Sequence, residues 1–85
     1  MRKTGSIPFA EFRSFLEGLG YQAKRTDVAS VFHHTREGLL VFRLYDEQEP
    51  VDTRDLLRTR KFLDWRGLLD TTAFDAFLHR ATSSA

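Results

Sequence analysis

Apolar positions in the first twenty residues recur every three or four places, and beyond them they recur every second place. Phe9, Phe12, Phe15, Leu16 and Leu19 fall on one stripe about 120° wide at 100° per residue, while Glu11, Arg13, Ser14 and Glu17 face away. The spacing predicts a first helix that starts near Pro8, with Ser6 as its expected cap. Gly18 and Gly20 bracket its end, since either can take the left-handed conformation that closes a helix. Tyr21 to Thr26 alternates weakly and is expected to form a short edge strand.

Two extended runs follow, Val28 to His34 and Leu39 to Tyr45, rich in β-branched and aromatic residues and joined by Thr35-Arg36-Glu37-Gly38. This is a hairpin signal. With a period of two, Leu40, Phe42 and Leu44 share the face expected to meet the helices, and Leu39, Val41, Arg43 and Tyr45 share the other. In the first run Ala29, Val31 and His33 lie opposite Val28, Ser30, Phe32 and His34. Beyond Pro50, Asp52 or Thr53 is suited to cap a second helix with a seam of Leu56, Thr59 and Leu63, Arg60 snorkelling beside it and a stop at Gly67. Thr72 with Asp75 resembles a capping box for a last helix, whose stripe is Phe74, Phe77, Leu78 and Ala81.

The expected fold class is therefore α+β, with the order αβββαα. Short connections make the sheet a three-stranded antiparallel meander with helices packed on one face. The domain is expected to span 8–80, with flexible ends at 1–7 and 81–85.

Composition adds limits to this picture. A chain of 85 residues, 41% hydrophobic and with eight phenylalanines, has material for one core. It has no cysteine, which removes disulfides, thiolate nucleophiles and zinc sites built on sulfur. No apolar run reaches the roughly 18 residues of a membrane span, and a cytoplasmic location is expected. Neither a metal nor an organic cofactor is expected, because there is no glycine-rich phosphate loop and no pair of acidic ligands at helical spacing on a site-like face.

Net charge is +1, but 46–49 carry three negative charges while 54–66 hold a local excess of +3. On the second helix Arg54, Arg58, Lys61 and Trp65 gather within about 60° of arc beside Phe62. These five residues make an RNA-binding candidate, with cations on phosphate and an aromatic plane for an unpaired base. Leu39, Val41 and Tyr45 make a protein-binding candidate on the open sheet face, and a homodimer through that face or through the edge strand is an alternative. His33 and His34 are the candidates for acid–base chemistry, with Lys24 or Arg43 near a phosphate. Their places on opposite sheet faces argue against a shared metal.

Several features lie in the order of a known family. Leu19-Gly20-Tyr21 ends the first helix, Phe32-His33-His34 is followed by a turn glycine at Gly38 and an apolar strand from Leu39, and the second helix leads into Gly67-Leu68 and an acidic Phe segment. Over about Phe9 to Phe77 the chain resembles the small HicA-type toxins, mRNA interferases of double-stranded RNA-binding-like fold that a partner antitoxin neutralises. The family's catalytic histidine lies three residues before the aromatic that matches Phe32, and here that place is Ala29. His34 matches a second histidine common in the family. The resemblance thus implies a divergent, non-catalytic domain that binds RNA or an antitoxin-like protein, or, in the alternative, an interferase that uses His33 or His34.

Overall fold

The phenylalanine-rich stripe of the first helix and the alternating hairpin need each other, because each has one apolar face to bury. The computed structural model describes residues 7–36 and 38–83 and shows how they meet. Helix α1 (Phe9–Gly18) leads into strands β1 (Gln22–Arg25), β2 (Ser30–His34) and β3 (Gly38–Phe42), then helices α2 (Thr53–Trp65) and α3 (Thr71–Ser83). The sheet is antiparallel in the order β1-β2-β3, so β2 is central. Ala23 pairs with Phe32 and Phe32 with Leu40, while Lys24 pairs with Val31 and Val31 with Val41. This register puts Phe32, Leu40 and Phe42 under the helices and leaves Val31, Leu39 and Val41 on the open face. The α+β class and the αβββαα order are those read from the sequence.

Packing is dominated by rings. Phe12 and Phe32 meet Phe42 edge-on, and Phe9 meets Phe32 edge-on while stacking on Tyr45 at 5.1 Å. Helix α3 closes the other side of α1, where Phe15 lies flat on Phe77 at 3.9 Å and edge-on to Phe74. The seam of α2 is Leu56, Thr59 and Leu63, as its periodicity predicts, and the Thr59 hydroxyl donates to the Asp55 carbonyl within the helix. Arg60 makes a bidentate pair with Asp75 that ties α2 to α3.

Several local expectations change. Ser6 lies outside the described residues, and α1 has Pro8 at its cap position without a side-chain cap. Its first amides are satisfied instead by the loop ahead of α2: Phe9 N–H donates to Glu49 O at 2.8 Å and Ala10 N–H to Glu47 O at 2.9 Å. Val51 N–H returns a bond to Ile7 O, and Ile7, placed in a flexible end by the sequence, is buried in the core. At the other end Gly20 takes the left-handed conformation with φ 103°. The first hairpin run enters the sheet only at Ser30, because Thr26 and Ala29 close a turn with their own hydrogen bonds. Asp52 stands before α2, but its carboxylate makes no cap and faces Arg43. Asp70 caps α3, its carboxylate accepting from Ala73 N–H at 2.8 Å, while Asp75 is engaged by Arg60 rather than in a capping box with Thr72. The last helix runs on to Ser83 and packs Ala81 against the core, so 81–83 continue the helix rather than a loose tail, while 84–85 lie outside the described residues.

Candidate functional site

The two histidines separate as the period of two requires. His33 is exposed on the open face, opposite Gln22 and Leu39. His34 points inward at the end of β2, where its ring meets Tyr21 edge-on at 5.0 Å and crosses above Gly20. A Cβ on Gly20 would sit 3.0 Å from Nε2, so the glycine is required both by its φ and by the imidazole. The Arg36 amide donates to His34 Nδ1 at 3.1 Å. An amide only donates, so a neutral His34 carries its proton on Nε2. His34 is thereby held as a packing residue of the β2 end.

The candidate protein-binding residues divide. Leu39 and Val41 stand 56% and 48% exposed on the open face, with half-buried Val31 beside them on β2. Tyr45 does not join them. Strand β3 ends at Phe42, the alternation lapses in the irregular segment beyond it, and Tyr45 turns into the core at 2% exposure. Its hydroxyl donates to Asp55 Oδ2 at 2.6 Å and accepts from Asp52 N–H at 3.0 Å. Burial, with the Asp55 carboxylate beside it, pushes the Tyr45 phenol up to about 12.

The basic side of α2 is likewise partly occupied. Arg58 reaches back over the Phe42 ring, donates to the Val41 carbonyl at 2.9 Å and lies 3.4 Å from Asp55. Arg54 and Lys61 are exposed, and neither forms an ion pair among the described residues. Phe62 is half-buried against the core, whereas Trp65 is 75% exposed with the Arg66 guanidinium 5.0 Å from its ring centroid. Arg43 is committed too. It donates to Leu44 O, pairs with Glu49 at 2.8 Å and with Asp52 at 3.4 Å, and covers the Tyr45 ring at 3.9 Å. The Arg43 guanidinium holds the Glu49 carboxyl below its usual range, and Arg60 does the same to Asp75. Arg43 is therefore spent on fixing the loop rather than presented to a phosphate.

Sequence reasoning did not find a cleft of about 410 Å³ between α1 and β1. Phe9, Phe32 and Tyr45 form its floor, Ser30 lies within it, and Arg13, Glu17, Arg25 and Glu47 stand around it. Phe9, Arg13 and Glu17 do recur at i, i+4 and i+8, and that spacing was the available signal for a second helix flank. No family model, curated protein or solved structure matches the chain.

Proposed function

We propose that this chain is a HicA-like domain without that family's catalytic imidazole, and that it holds a partner protein on the open face of its sheet. The observation that carries this reading is the adjacency of Val31, Leu39 and Val41 on a face that no helix covers. Together they make a contiguous apolar patch of roughly 200 Å² on a flat sheet face, a surface that a partner can cover. The histidines support binding over cleavage, since His34 is packed under Tyr21 and His33 stands on the other face. Pairing of Arg13, Arg43, Arg58 and Arg60 with carboxylates lowers the charge left for a polyanion.

Trp65 favours a second reading, RNA on the outer side of α2, because a large exposed ring beside Lys61 offers a stacking plane. Two substitutions separate the readings. With Val41→Asp the domain should keep its melting temperature within a few degrees and lose capture of its protein partner, or its self-association in light scattering, by tenfold or more. Lys61→Ala with Trp65→Ala should leave both unchanged. Salt-sensitive binding of single-stranded RNA that this pair abolishes, with Val41→Asp silent, would replace the first reading with the second.

A further inference from the structure

We infer that the cleft between α1 and β1 receives an extended acidic segment of a partner protein, which joins the sheet as a fourth strand beside β1. This surface lies at the β1 edge, across the sheet from Leu39 and Val41 and sharing only Val31 with that patch, and the inference stands without the reading above. Three independent features converge on it.

The first is an unfilled edge. β1 pairs only with β2, all four of its residues are exposed, and its outer amides and carbonyls have no strand partner among the described residues. The opposite edge is guarded, because Arg58 occupies the Val41 carbonyl on β3.

The second is the cleft itself. Its α1 flank, Phe9 to Arg13 to Glu17, is about 12 Å long at 1.5 Å per residue, which matches about four residues of extended chain. The cleft has an aromatic floor, and Ser30 is buried to 6% exposure at its base. None of the hydrogen bonds among the described residues engages the Ser30 hydroxyl. Its oxygen is not sealed from solvent, so the hydroxyl is free to exchange water for a hydrogen bond to a guest chain.

The third is charge. Lys24 points to the open face and Arg25 to the cleft, and neither is in an ion pair among the described residues. Arg13 and Glu47 neutralise each other at 2.8 Å, which leaves Glu17 as the only uncompensated acid in the cleft lining. Two copies of β1 would oppose like charges, so the edge resists self-pairing while admitting an acidic strand. In antiparallel pairing the guest residue opposite Ala23 enters the cleft, and the two before it meet Lys24 and Arg25. The favoured guest reads acidic, acidic, aromatic.

The probe is a capped peptide with Glu-Glu-Phe flanked by threonines, titrated into the ¹⁵N-labelled full chain. Amides of Gln22 to Arg25 should shift and exchange more slowly with solvent. Affinity should fall at least tenfold for the Lys-Lys-Phe peptide, and Arg25→Glu should reverse that preference. Recovery of binding by the charge-reversed pair shows that the variant is folded. Ala23→Trp, which fills the cleft, should abolish binding of either peptide. Equal affinity for both peptides, shifts centred on Leu39 and Val41, or no shift at millimolar peptide would overturn the inference.

Discussion

At the scale of single residues, Tyr45 carries the most consequence. Its hydroxyl links the segment leaving β3 to the start of α2 through two hydrogen bonds, one of them to a carboxylate. Tyr45→Phe keeps the stack on Phe9 and removes both bonds, so a loss of about 1.5–3 kcal/mol in urea unfolding is expected. The phenol also sets an alkaline limit. Because its folded value of about 12 lies above the ordinary 10, the neutral form is favoured by folding. That stability is fully present below pH 10 and is lost as pH rises through 12. Wild type should therefore lose stability in this window, and Tyr45→Phe should flatten the slope. Tyr45 was also where alternation misled. A period of two places a residue only while the strand continues, and nothing in Arg43-Leu44-Tyr45 marks the exit, because its cause is an arginine bound to acids several residues ahead.

Among the elements, helices were the more legible. Phe9, Phe12 and Leu16, and likewise Leu56, Thr59 and Leu63, are buried where a 3.6 period puts them, since a helix carries its periodicity within its own backbone. Caps were less legible, because several residues near a helix start are chemically equivalent there. Asp70, Thr71 and Thr72 all bear cap-competent oxygens, and the choice fell to Asp70 once Arg60 had claimed Asp75. Asp70→Ala should therefore cost about 1 kcal/mol of unfolding free energy, while Thr72→Ala should stay within about 0.5 kcal/mol. The apolar pair Leu39 and Val41 was visible in the strand pattern, but the cleft was not. A groove between α1 and β1 depends on how far apart two elements sit, and periodicity carries no such distance.

For the whole molecule, one core of interlocking rings joins three helices to the sheet, and its stability is concentrated there. An 85-residue domain is held by about 4–13 kcal/mol in total. Phe12 is fully buried between α1 and the sheet, and Phe12→Ala should cost about 3–5 kcal/mol, enough to leave a large unfolded fraction in thermal melts well below the wild-type midpoint. The fold class was legible at this scale because the order of elements and short connections leave few arrangements. The way the chain begins its structure was not. The amides of Phe9 and Ala10 end on carbonyls at Glu49 and Glu47, about forty residues further along. As the chain emerges from a ribosome, α1 is thus made well before the carbonyls that hold its first turn, and its start stays frayed until the acidic loop has cleared the exit tunnel and folded back over it.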